Sequence, residues 1–83
     1  MSKKYCFWLS FCDANKPNGQ QFLGVVIVFA CNIVEAAKYA HLLGINPGGE
    51  VLGIKTNPND IAPEHFNKFL TKDMLISAGY IDE

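Results

Sequence analysis

The stretch FLGVVIVFAC at residues 22–31 constrains the fold more than any other part of the sequence. Its β-branched residues favour a strand, and apolar side chains occupy both alternating sets of positions. Such a strand places apolar side chains on both faces of a sheet, so both faces need cover. The run is far shorter than the about 20 apolar residues that span a bilayer, and we expect no membrane segment.

The length of the chain, 83 residues, accommodates one domain, which we assign to residues 1–83. Hydrophobic residues make up 49% and charged residues 18% of the sequence, below the about 25% charge of typical soluble domains. A small domain has a large surface for its volume. This composition therefore indicates apolar surface that is held for a partner.

The charged residues argue against nucleic acid as that partner. The formal net charge is -1, and the 7 basic residues are all lysines scattered along the chain. Binding to nucleic acid depends on clustered cations, and arginine, the side chain that grips phosphate or guanine at two points, does not occur in the sequence.

The three cysteines, Cys6, Cys12 and Cys31, are an odd number and include no C-x-x-C pair. Small secreted domains typically carry an even and denser set that forms disulfides. The basic and then apolar N-terminus resembles a signal peptide, but Ser10 interrupts the apolar run and no small-residue cleavage site follows it. We therefore predict a reduced, cytoplasmic protein.

Two strands are predicted at residues 5–12 and 22–30, where aromatic and β-branched residues alternate. The polar loop between them carries the turn signal Asn18-Gly19 and favours an antiparallel hairpin. A helix is predicted over residues 33–43, with Asn32 as its N-cap and Gly44 as its end.

The second half of the chain is predicted to add one strand and two short helices. The strand covers residues 50–56, and Pro63 is expected to begin a short helix that includes His65, Phe69 and Leu70. Thr71 is expected to begin a last helix that ends at Gly79. The β-β-α-β order predicts an α+β domain with a three-stranded sheet and the main helix on one face. If the second and third strands are adjacent and parallel, their crossover is expected to be right-handed.

The face of the sheet opposite the main helix is the natural place for a partner. Alternation places Trp8 on that face, and a tryptophan on a mixed face is common in interfaces and pockets. Two sources of cover are open, a second subunit or the C-terminal segments with their apolar residues Phe66, Phe69, Leu70, Met74 and Leu75. The short C-terminal segments favour partial cover together with a homodimer.

Cys12 and Asp13 begin the loop after the first strand and are the first place to look for chemistry. A nucleophilic cysteine needs a base or cation beside it, and the sequence offers only His41 and His65, neither of which it places near Cys12. A small residue that ends a strand is the simpler interpretation. Trp8 and Gln21 complete the candidate lining of a pocket here, and no catalytic residue is assigned.

The turn Asn46-Pro47-Gly48-Gly49-Glu50 is rich in glycine, so its N–H groups are able to form an anion-binding nest. It follows the end of a helix, however, where the helix dipole disfavours anions. A tight turn is the simpler interpretation, and Gly48 and Gly49 stay interface candidates. Because the cysteine and histidine spacings match no paired-ligand pattern, we expect no metal and no cofactor.

Three segments, FWLSFCD, QQFLGVVIV and LGINPGGEV, are similar to segments of small bacterial proteins whose function is unknown. The resemblance covers roughly residues 7–53 and carries no activity, ligand or catalytic residue. It implies that the loop at residues 12–21 and the turn at residues 46–50 form a common surface.

The sequence therefore favours a small non-catalytic binding or interaction domain that forms a homodimer through its sheet. The alternative is a small-molecule sensor or a small enzyme with its pocket at the loop that follows Cys12. A nucleic-acid-associated protein is a third and weaker hypothesis, and an unidentified protein or small molecule is a further candidate partner.

Overall fold

In the computed structural model, which describes residues 3–82, a four-stranded antiparallel sheet organises the chain. The elements are β1 Tyr5–Cys12, β2 Phe22–Ala30, α1 Ile33–Leu42, β3 Glu50–Lys55, β4 Phe69–Leu70 and α2 Lys72–Ser77. Two single 3-10 turns, Pro58–Asp60 and Pro63–His65, connect β3 to β4. The strands lie in the order β3-β1-β2-β4, with α1 on one face and residues 61–81, which we call the C-terminal segment, on the other.

The first half of the chain follows the prediction closely. β1 and β2 have the predicted bounds, and α1 ends one residue earlier than expected. The Asn32 side chain accepts a hydrogen bond from the Glu35 N–H at 2.9 Å, which satisfies one of the free donors in the first turn. At the other end Gly44 adopts φ 74°, and the Ile45 N–H donates to the Ala40 carbonyl, as in a Schellman stop.

The predicted helix beginning at Pro63 is wrong, and so is the three-stranded sheet. The chain makes one 3-10 turn there, and Asn67, at φ 61°, directs it back toward the sheet. The Asn67 N–H donates to the Ile27 carbonyl, and Phe69 and Leu70 then pair with β2 as β4. Pairing with β2 satisfies backbone groups of Phe69 and Leu70 and buries the Leu70 side chain on the face opposite α1.

β2 and β3 are not neighbours, because β1 lies between them and is antiparallel to both. The crossover through α1 therefore skips one strand. This arrangement makes β3 an edge strand of the sheet, a position that the element order alone does not reveal.

The face of the sheet under α1 forms the first core. Phe7, Leu9 and Phe11 of β1 are buried against α1, whose small residues Ala36 and Ala40 allow close approach. Gly53 of β3 has no side chain, so Leu9 and Ile33 pack directly over its backbone.

The opposite face, which we call the outer face, forms a second core over β2. Val25 and Ile27 are buried against Ile61, Leu70 and Leu75 from the C-terminal segment. Burial of each such side chain contributes about 1.5–3 kcal/mol, a large part of the stability of a small domain. The C-terminal segment thus covers the second face of the FLGVVIVFAC strand within one chain. Phe69 and Met74, which were expected to share in that cover, do not, because Phe69 packs on the α1 side and Met74 is exposed.

Candidate functional site

The outer face is covered over β2 but open over β1 and β3. Leu52 and Ile54 lie opposite Ser10 and Trp8 in the β1–β3 ladder and therefore point to the outer face. The exposed fraction is 72% for Leu52 and 57% for Ile54, although both lie within a strand. We call the surface formed by Trp8, Ser10, Cys12, Leu52 and Ile54 the open face.

The free edge of β3 borders the open face. Within residues 3–82, β3 pairs with β1 alone. The Thr56 N–H donates to the Cys6 carbonyl directly opposite it, at 2.9 Å, which identifies the even-numbered residues of β3 as the hydrogen-bonded partners of β1. The N–H and C=O groups of the odd-numbered residues Val51, Gly53 and Lys55 therefore point away from the sheet.

Within residues 3–82, the middle of this edge carries no proline, bulge or charged side chain that would hinder pairing with another chain. Edge strands are commonly blunted by proline, by bulges or by charged side chains near their middle. The central four residues of β3 are Val51-Leu52-Gly53-Ile54, and its charged residues, Glu50 and Lys55, lie at the two ends. In the described part of the chain, β3 is thus an apolar edge whose outward backbone donors and acceptors have no neighbouring strand.

Apolar side chains also border the same edge on the α1 side of the sheet. Ile33 lies over Gly53, and Val34, 65% exposed, lines a cleft of about 410 Å³ together with Lys55. The β3 edge is therefore flanked by exposed apolar side chains on both faces. These are Leu52 and Ile54 on the outer face and Ile33, Val34 and Val51 on the α1 face.

A shallow groove of about 330 Å³ lies at the end of the open face beside Cys12, which pairs with Glu50 of β3. Its other lining residues are Ser10, Val51 and Leu52. Gly49 lies against the Cys12 carbonyl so closely that a side chain at this position would collide with it. The structure thus brings together Cys12 and Gly49, two of the candidate residues.

Three other candidate residues shape loops. The Asp13 side chain accepts a hydrogen bond from the Asn15 N–H, and the Asp13 N–H donates to the Gln21 carbonyl to close the loop. The Gln21 side chain donates to the Lys16 carbonyl inside that loop. Gly48, at φ 84°, is exposed in its turn. These contacts account for Asp13, Gln21 and Gly48 as turn residues.

Trp8 lies at the boundary between the covered and the open parts of the outer face. Its indole N–H donates to the Ser10 hydroxyl at 3.1 Å, and its ring packs against the Tyr80 ring in a T-shaped arrangement with a centroid distance of 5.8 Å. The Tyr80 hydroxyl accepts from the Ala62 N–H and lies 2.7 Å from His65 Nδ1. The Tyr80 hydroxyl thus shares hydrogen bonds with Ala62 and with His65, and this histidine is held within the C-terminal segment.

Within residues 3–82, neither histidine lines the groove beside Cys12. His41 is exposed on α1, and His65 lies beside Tyr80. Within residues 3–82, no group of three or more histidine, cysteine and acidic side chains is placed to hold a metal ion. Burial raises the pKa of the Cys6 thiol, which packs in the second core.

The sequence interpretation missed Val51, Leu52 and Ile54. The run of apolar residues between Glu50 and Lys55 was a signal, but it acquires meaning only when β3 is known to be an edge strand. Tyr80, which anchors Trp8 and His65, was missed as well.

No family model matches the chain, and no curated protein or solved structure matches it either. The resemblance to small bacterial proteins therefore stays a prediction. In the part of the chain that the structure describes, none of the helices has the length and apolar character needed to cross a membrane.

Proposed function

We propose that the protein is a small non-catalytic interaction domain that associates with a second copy of itself through the open face and the β3 edge. The observation that carries the proposal is the edge strand itself. Its outward N–H and C=O groups have no strand beside them within residues 3–82, and apolar side chains flank them on both faces of the sheet.

Burial of Leu52 and Ile54 is the main source of free energy for this association. Burial of a side chain of this size contributes about 1.5–3 kcal/mol to the free energy of association. A symmetric dimer buries each of these residues in both copies, so the contribution of each residue is made twice. Unprotected edges also promote uncontrolled aggregation, so a soluble chain benefits when a defined partner occupies the edge. A second copy of the chain has the same unpaired β3 edge and is present wherever the first copy is, so we propose it as that partner.

Size-exclusion chromatography with light scattering tests the proposal on the unmodified chain. We expect a mass of twice 9.2 kDa at high protein concentration and dissociation on dilution. A constant mass of 9.2 kDa over the whole concentration range would contradict self-association.

The groove beside Cys12 supports a second candidate function, the binding of a small molecule at the loop that follows Cys12. The groove of about 330 Å³ falls within the size range of small-molecule sites, and its lining combines a thiol, a hydroxyl, a carboxylate and two apolar side chains. This function requires a ligand that fits a shallow site formed mainly by β1 and β3.

Alkylation of the three thiols near pH 7 separates a binding groove from a reactive one. We expect Cys6 to react most slowly, because it is buried and its raised pKa leaves less thiolate at neutral pH. If the protein is a non-catalytic interaction domain, we expect Cys12 to react no faster than a cysteine in an unstructured peptide. Faster reaction at Cys12, measured by mass spectrometry of the labelled peptides, would favour the enzyme alternative.

The three cysteines also support a reducing compartment, the cytoplasm, as the location. Cys6, Cys12 and Cys31 are all free thiols in the structure. Small domains of oxidising compartments rely on disulfides for stability, and this one relies on two packed faces of a sheet instead.

A further inference from the structure

We infer that the second copy joins by strand addition, so that its β3 lies antiparallel to the β3 of the first copy. A two-fold axis perpendicular to the sheet passes through Gly53. The result is a continuous eight-stranded sheet. This inference rests on the proposed function and names the geometry of the same site.

The direction of the free backbone groups decides which residues face one another. A two-fold axis perpendicular to the sheet keeps the outer face of both copies on the same side, so even-numbered residues lie opposite even-numbered ones. The outward groups belong to Val51, Gly53 and Lys55, because the even-numbered residues bond to β1. Odd-numbered residues of one copy must therefore bond to odd-numbered residues of the other.

Two symmetric registers keep most of β3 paired under this condition, one centred on Leu52 and the other on Gly53. The register at Gly53 pairs Val51 with Lys55 of the second copy and Gly53 with its own counterpart, so all three outward residues form hydrogen bonds. The register at Leu52 uses only Val51 and Gly53 in the strand and places Glu50 opposite an exposed Ile54. Each register places a charged side chain opposite an apolar one, Glu50 opposite Ile54 or Lys55 opposite Val51, and the long aliphatic stem of lysine is able to lie along an apolar neighbour while its charge stays in water. We therefore choose the register at Gly53, which also pairs all three outward residues.

The side chains agree with the chosen register on both faces. On the outer face Leu52 lies opposite Ile54 of the second copy in a non-hydrogen-bonded pair, where side chains approach most closely. On the α1 face both helices lie on the same side of the sheet, and Ile33 and Val34 border the junction. A foreign peptide would supply backbone hydrogen bonds, but nothing requires its side chains to be apolar opposite Leu52 and Ile54. In the chosen register a second copy places its own Ile54 and Leu52 at those positions.

Disulfide trapping between two single variants tests the register. In a background with Cys6→Ala, Cys12→Ser and Cys31→Ser, one sample carries Leu52→Cys and the other Ile54→Cys. Opposite residues of a non-hydrogen-bonded pair lie about 4.5 Å apart between Cα atoms, within the range of a disulfide. We expect neither variant to cross-link with itself and the mixture of the two to form a covalent heterodimer under mild oxidation.

Each other outcome has a defined meaning. Cross-linking of Leu52→Cys with itself would overturn the register at Gly53 in favour of the one at Leu52. A non-covalent dimer by light scattering with no cross-link in any sample, a second pair of variants on the α1 face included, would overturn strand addition but leave self-association intact. A monomer at all concentrations would overturn both the inference and the proposed function.

A second pair of variants on the other face guards against a failure of the first pair to fold. Val51→Cys and Lys55→Cys lie on the α1 face and leave Leu52 and Ile54 in place. We expect this mixture also to form the heterodimer, because hydrogen-bonded opposite residues lie about 5.5 Å apart between Cα atoms. Absence of a cross-link in both mixtures, with each variant folded by circular dichroism, would overturn the inference.

Discussion

Lysine in place of Leu52 is expected to weaken the dimer about 100-fold, because each of the two copies then loses a buried leucine and together these contribute about 3 kcal/mol or more. The added ammonium groups also have to be desolvated or displaced at the new junction. Leu52 is 72% exposed in a single chain, so the substitution leaves the fold of the monomer intact. Sedimentation or light scattering over a dilution series measures the change in the dissociation constant.

Leu42→Lys is the matched control for this substitution. Leu42 is 81% exposed on α1, the same residue type in a similarly exposed place, but it lies on the side of the helix that faces away from the sheet. We expect the dissociation constant of this variant to equal that of the unmodified chain. An equal effect of both substitutions would indicate that general apolar surface, and not the β3 edge, holds the copies together.

Alanine in place of Gly24 is expected to destabilise the fold by about 2–5 kcal/mol, since it combines overpacking with a backbone conformation that side chains rarely adopt. Gly24 has φ 154°, and an added Cβ would lie 2.5 Å from the Phe69 ring and 2.6 Å from the Leu70 carbonyl oxygen. The collision therefore affects β4, the strand that attaches the C-terminal segment to β2. Denaturant unfolding followed by circular dichroism measures the loss.

Gly19→Ala separates the backbone contribution from the steric contribution to the destabilisation expected for Gly24→Ala. Gly19 also has a positive φ, 89°, but no atom lies within 4 Å of the place where its Cβ would be. We expect this variant to lose about 1 kcal/mol, the backbone term alone. If Gly24→Ala were no more harmful than Gly19→Ala, β4 would not be held against β2 at the observed distance.

The local signals in the sequence predicted the first half of the fold well. Alternation placed β1 and β2, and the cap at Asn32 and the stop at Gly44 placed α1, because each depends on residues close together in the chain. β4 was missed because two residues, Phe69 and Leu70, carry no periodic signal. Their pairing depends on the space that Gly24, far away in the sequence, leaves for them.

The candidate site was predicted only in part for a similar reason. The face carrying Trp8 was identified from alternation within β1, and the structure places Cys12 and Gly49 beside it. Which half of that face is open depends on the strand order and on where the C-terminal segment lies, and neither is encoded locally. Leu52 and Ile54 therefore became candidates only when β3 was found at the edge of the sheet.

Amide hydrogen exchange of the unmodified chain, measured by NMR at low and high protein concentration, tests most directly that the β3 edge is where two copies meet. The amides of Leu52 and Ile54 bond to β1 within one chain and should be protected at both concentrations. We predict that Val51, Gly53 and Lys55 gain protection only in the concentrated sample. Equally fast exchange of these three amides at both concentrations would contradict the account.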